Sequence, residues 1–372
     1  MSDTSHAFVA SGPIPPSPPP ATSSGPAGWV RENLFAGPVN SAVTVILIAM
    51  LLWYLPGIIS WAFIDSVWFA SSLAECREIN RHGACWAVIV ERFDQFIYGF
   101  YPPELRWRPN LAFGLMLIAF AYALFEWMPA RSYGLVFAAV FPIIAYFLIW
   151  GGLGLEPVSS DQLGGFLLAT IIGVAGIVLS LPIGILLALG RRSGLIFIQV
   201  ICITFIEFIR GVPLITLLFV ANSVLAYFFP PGSNLDLILR VVIMVTAFAS
   251  AYMAEVIRGG LAALPSGQYE AADAMGLNYW QSMRLIILPQ ALKISIPNIV
   301  STFIGLFKDT TLVVVIGLLD PIGLINTTRA DSNWNGIIWE FYVFVGLFFF
   351  IACFAMSRYS LYLERKLATD RR

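Results

Sequence analysis

Two adjacent charges inside an apolar run, Lys308 and Asp309, followed by Thr310 and Thr311, are the first candidates for chemistry. They stand 15 and 16 residues beyond Lys293, so about 22 to 24 Å along a helix, inside a hydrocarbon core about 30 Å thick. A charge at that depth costs about 2.5 to 3.5 kcal/mol on insertion scales and must face a cavity or a partner of opposite sign. A zwitterionic ligand offers one group to each, and an internal ion pair, with Arg240 as a candidate member, serves equally. The threonine hydroxyls either bond a ligand or return to the preceding helical turn, their ordinary use. Cys76 and Cys85 share one polar stretch, where an oxidising compartment would permit a disulfide. Cys202 and Cys353 read as small apolar helix residues.

Other chemistries lack material. The histidines are His6 and His82 alone, which leaves little for a zinc site or a His-based triad. A phosphate-binding loop needs Gly-Lys-Ser/Thr, but Lys293, Lys308 and Lys366 follow Leu292, Phe307 and Arg365. We expect no catalytic residue, no metal and no nucleotide bound by this chain.

A polar island at 259–293 carries the densest local signals. After Pro265, Ser266 is placed to cap a helix running to Met275, and Gly276 is suited to the left-handed conformation that closes one. Asn278 with Gln281 three residues on reads as a capping box opening a second helix. On it Trp280, Met283, Arg284 and Ile287 recur at spacings of three and four, predicting a common apolar face with one cation.

These residues must be positioned by membrane helices. The chain is 59% hydrophobic and 12% charged, with mean hydropathy +0.82, against about 25% charge in soluble domains. An all-α, polytopic membrane protein follows, and a net charge of -1 gives no case for nucleic acid. The Pro-rich stretch 1–40 reads as a disordered tail. Eight spans are expected: 42–63, 111–128, 133–155, 163–189, 212–229, 237–254, 294–318 and 337–354, with a Pro230-Pro231-Gly232 turn after the fifth. The polar segment 65–110 is an outer loop, within which 86–101 mixes apolar and charged residues as an interfacial helix does. Residues 41–158 thus form a three-helix extension, 159–364 a core, and 365–372 a tail.

Glu207 with Arg210, and Glu255 with Arg258, stand three apart and predict local ion pairs. Placing the N-terminus inside puts 13 of 21 Lys and Arg on the cytoplasmic side. Both termini and the 259–293 loop are then cytoplasmic. Trp53, Trp61, Trp68, Trp127 and Trp150 near span ends suit interface anchors.

The spacing Glu270-Ala271-Ala272, Gly276, Ile286, Leu288, Pro289 resembles, position for position, the coupling loop of the membrane subunits of binding-protein-dependent ABC importers. Ile206 to Leu214, Ala254 to Gly260 and Phe307 to Leu312 are similar to the permeases of polar amino-acid uptake, over about residues 160 to 360. The front, with its cysteine-containing loop and Arg106-Trp107-Arg108, is similar to the longer subunit of general L-amino-acid permeases. This resemblance implies a five-helix permease core in a bacterial inner membrane and ATP-driven amino-acid import. It implies a separate ATPase dimer carrying ATP and Mg, a second homologous permease in a heterodimer, and a periplasmic amino-acid-binding protein. Glu270 would contact the ATPase, Gly276 would permit the bend, and the helix bearing Trp280 and Arg284 would be the coupling helix. The alternative is an ion-coupled secondary carrier, which also uses intramembrane charges but has no reason to keep a docking loop.

Overall fold

The computed structural model describes residues 25–224, 227 and 235–368. Most of the expected tail (1–24), the Pro230-Pro231-Gly232 turn and residues 369–372 lie outside the described residues. The chain divides into two compact units, Met1–Val67 with Ile79–Ala84, and Trp68–Glu78 with Cys85–Arg372.

In the first unit, α1 (Pro26–Leu34) and α2 (Pro38–Ile59) correct the expectation of disorder up to residue 40. Proline breaks a helix interior, but Pro26 and Pro38 occupy first turns, where the missing N–H has no partner to lose. The Thr44 hydroxyl donates to the Leu34 carbonyl at 2.7 Å across the link. A π turn, Ser60–Ile64, extends α2. Around it the Ala84 amide bonds Trp61 O and the Val67 amide bonds Ala84 O, each at 2.8 Å.

The second unit holds α3 (Leu73–Ile79, its last residue in the first unit), α4 (Ala87–Tyr98), α5 (Trp107–Leu124), α6 (Arg131–Trp150) and α7 (Gly165–Arg191). It continues with α8 (Ile196–Gly211), α9 (Leu214–Phe219), α10 (Leu237–Ala262), α11 (Ser266–Ala274), α12 (Tyr279–Ser282) and α13 (Leu288–Asp309). The last two are α14 (Pro321–Arg329) and α15 (Trp339–Ala368). Among the described residues seven helices are long and apolar enough to cross a membrane, and a bent pair would make an eighth.

That pair corrects the fifth span. The helix begins at Ile196 and breaks after Gly211, so that α8 and α9, prolonged by a π turn at Val220–Val224, meet at 103°. Val212 is extended (φ -107°, ψ 131°) because it precedes Pro213, whose ring disfavours helix there. The sixth span runs on to Ala262 and the eighth to Ala368, both well past their expected ends. Helix α14 was not expected from the hydropathy pattern. It starts by local chemistry, Asp320 accepting from the Gly323 amide at 2.9 Å with Pro321 at the first position.

Helix α7 is central to this unit, and two apolar clusters lie along it. One gathers Leu168, Ile172, Leu218, Val241, Val245 and Val313; the other Ala188, Ile206, Met253, Ile257 and Ile287. Lipid tails are as apolar as leucine, so close packing, not water exclusion, holds such helices. Gly184 shows why small residues matter: a Cβ there would meet the Met253 side chain at 2.7 Å. Hydrogen bonds fix the segment before α5. Tyr101 donates to Ile149 O at 2.8 Å, Arg92 pairs with Asp331 at 2.5 Å, and the Cys85 amide donates to the Glu340 carboxylate at 3.0 Å. Cys76 and Cys85 are joined in a disulfide, with Cα atoms 5.9 Å apart.

Candidate functional site

The polar island folds as helix, turn, helix. Proline 265, not Ser266, occupies the cap position of α11; Ser266 is already helical and makes no capping bond, which corrects the expected cap. The other end closes through Gly276, at φ +73°, with the Gly276 amide bonding Asp273 O at 2.9 Å and the Leu277 amide bonding Ala272 O at 3.2 Å. These are the paired bonds of a helix closed by a left-handed glycine. Asn278 then caps α12 reciprocally, its side chain accepting from the Gln281 amide and the Gln281 side chain accepting from the Asn278 amide, both at 3.0 Å. The capping box spaces these residues as the sequence does.

The expected common face is divided. Met283 and Ile287 are buried in the apolar cluster with Ile206 and Ile257, whereas Trp280 (67% exposed) and Arg284 face outward. A π turn at Met283–Ile287 joins α12 to α13, and its wider winding takes these positions off a single 3.6-residue stripe. The outward side carries Glu270, Ala271, Met275, Tyr279, Trp280 and Leu285 as well. Among the described residues Glu270 and Arg284 form no ion pair. Ala272 is fully buried and Ile286 and Leu288 half-buried, while Pro289 lies in the first turn of α13, exposed, where it disturbs no bond.

Side-chain bonds that the sequence pattern did not reveal tie the island down. Arg192, just past α7, donates to the Tyr269 hydroxyl at 3.1 Å and stands over its ring. The Gln290 side-chain amide donates to the Gln268 side-chain oxygen, Oε1, at 2.9 Å. The apolar, outward side of the island is thus held to the end of α7 and the start of α13.

From Tyr279 to Ile316 the backbone is helical over 38 residues, so the island leads without a break to Lys308 and Asp309. Asp309 ends α13 and Thr310–Ile316 continue as 3₁₀ helix. Lys308 is exposed on the isolated chain and Asp309 half-buried, and among the described residues neither makes an ion pair. Arg240 is engaged elsewhere, donating to the carbonyls of Ala221 and Asn222 at 3.3 and 2.8 Å. Thr310 donates to Phe307 O at 2.8 Å and Thr311 to Lys308 O at 2.9 Å, so both hydroxyls serve their own helix.

The expected local pairs are half right. Arg258 does bond Glu255 at 3.0 Å, but Glu207 is taken by Arg191 of α7 at 2.8 Å, and Arg210 stands 3.7 Å from Glu255 instead. Sequence spacing revealed the neighbours within one helix and not the arginine brought in by another.

The sequence model of the family described as "binding-protein-dependent transport system inner membrane component" matches residues 180–369. A permease protein of Rhodobacter capsulatus named for glutamate/glutamine/aspartate/asparagine transport is 48% identical over 440 aligned residues, covering 100% of both chains. An inner membrane amino-acid ABC transporter permease of Escherichia coli K12 is 46% identical over 359 residues, covering 96% of this chain and 97% of its own. A crystal structure of an amino acid ABC transporter with histidines aligns at 28% identity and TM-score 0.48, over 53% of this chain and 90% of that one. On the family match and the full-length relatives, this chain belongs to the inner membrane components of binding-protein-dependent transport systems, as a multi-pass permease subunit and not an enzyme.

Proposed function

We propose that this permease imports amino acids of the acidic and amide class, driven by ATP hydrolysis on a separate subunit. The observation that carries the reading is the 38-residue helical run from Tyr279 to Ile316, which joins an exposed apolar face to two intramembrane charges. At one end, Trp280, Met275 and Leu285 offer a surface for an ATPase dimer, with Glu270 and Arg284 as its polar contacts. At the other, Lys308 and Asp309 offer a cation to a carboxylate and an anion to an ammonium group. The substrate class is supported by the name of the Rhodobacter capsulatus relative. ATP and Mg belong to the ATPase, and this chain binds no cofactor.

A second, homologous permease completes the pathway as a heterodimer, and a periplasmic binding protein delivers the substrate. The positive residues near the span ends support cytoplasmic placement of both termini and of the 259–293 loop. The test is uptake of labelled glutamate into liposomes holding the two permeases and the ATPase, with binding protein outside and ATP within. Uptake should require the ATPase and the binding protein and stop with vanadate. Uptake by the permeases alone, following an ion gradient, would establish a secondary carrier.

A further inference from the structure

Three helices bring their charges to one cluster beside the docking island. Glu255 of α10 is 17% exposed and sits among three arginines: Arg191 of α7 at 2.7 Å, Arg258 at 3.0 Å and Arg210 of α8 at 3.7 Å. Arg191 also bonds Glu207 of α8 at 2.8 Å, and the Arg210 guanidinium lies 5.5 Å from the Tyr252 ring centre. Three cations against two anions leave an excess positive charge. Neutralising Glu255 would set three guanidinium groups against one carboxylate, that of Glu207, which is itself half-exposed.

The geometry around α8 gives this cluster a mechanical meaning. Near its start α8 crosses α7 closely, since a Cβ on Gly190 would stand 2.4 Å from Cys202 Sγ. Toward its end α8 is held by Glu207 and Arg210, immediately before the break at Val212 and Pro213, where the chain turns by 103°. Ile206, on the same part of α8, packs in one apolar cluster with Ile257 of α10 and with Met283 and Ile287 beneath the docking face.

We propose that Glu255 is a positioning residue for energy coupling: through Arg191 and Arg210 it makes α8 move with α7, α10 and the docking island, the bend at Val212–Pro213 serving as the pivot. This rests on the coupling reading above. Removing the charge should leave the docking face intact and the ATPase responsive, yet loosen α8 from α10 while the Arg191–Glu207 bond to α7 remains, so that hydrolysis continues with little transport. A residue needed only for folding would instead lower assembly and both activities together.

The test uses the complete transporter in liposomes, with labelled glutamate as the probe and the ratio of glutamate imported to ATP hydrolysed as the readout. Glu255→Gln should lower that ratio about tenfold with binding-protein-stimulated hydrolysis retained, and Glu255→Asp should restore most of it. If Glu255→Gln does not assemble, Arg210→Met decides, with a threefold fall expected. A wild-type ratio in the deciding variant overturns the proposal and leaves the coupling reading standing. A wild-type transporter without ATP-driven uptake overturns both.

Discussion

At the scale of single residues, Gly276 and Asn278 do the shaping. Nothing lies within 4 Å of a Cβ built on Gly276, so Gly276→Ala meets no neighbour and tests backbone strain alone at φ +73°. It should cost about 1 kcal/mol and raise proteolysis of the 263–287 segment. Asn278→Ala removes the capping box and should cost about as much, read as a fall in the melting temperature of detergent-solubilised protein. Asp320 offers a pH test. It is fully buried, and burial pushes its carboxyl up to about 6 against the opposing bonds from the Gly323 and Ile322 amides. With an unfolded value near 3.9, the folded state holds the proton more tightly. Its contribution to stability is therefore present below about pH 4 and is lost as pH rises through about 6. Asp320→Asn keeps an acceptor for the cap and should flatten the melting profile between those values. Asp309→Asn should abolish glutamate uptake while leaving assembly with the ATPase unchanged; unaltered uptake would remove Asp309 from the pathway.

At the scale of elements, the capping box and the glycine closure were legible in the sequence, the Ser266 cap was misplaced and the Asp320 cap was missed, and what packing dictates was not legible. Asn278 and Gln281 found each other because a capping box spans three residues, and Gly276 closed its helix because few residues tolerate that conformation. Trp280 and Ile287 parted because the π turn between them has no plain sequence mark and alters the phase of the helix. Pro213 marked a boundary, but the 103° between α8 and α9 depends on what each half packs against. Arg191 reads in sequence as one of two positive residues at a span end; its role with Glu207 and Glu255 exists only once three helices are assembled. Helix α14 could have been found from Asp320-Pro321, an N-cap followed by a first-turn proline. The disulfide belongs to this scale as well, closing a short loop between residues nine apart. Its loss in Cys76→Ser, or on reduction, should cost about 2 to 4 kcal/mol and lower the melting temperature, with no effect of reductant on the double serine variant.

For the whole molecule, the spans were legible because about 20 apolar residues must cross the bilayer whatever their packing. The links between them were legible in proportion to how many residue types stood at fixed spacing. A chain with no phosphate-binding loop, an exposed apolar face on its 259–293 loop and a helical run leading from that face to Lys308 and Asp309 suits a permease subunit whose ATPase is a separate chain. The most direct test is therefore Trp280→Asp in the reconstituted transporter, measured as ATPase retained on the purified permeases and as glutamate uptake. Trp280 is mostly exposed, so the fold should survive the change. The account predicts that the variant inserts normally, loses the ATPase and takes up no glutamate, whereas full retention of the ATPase with wild-type uptake would contradict it.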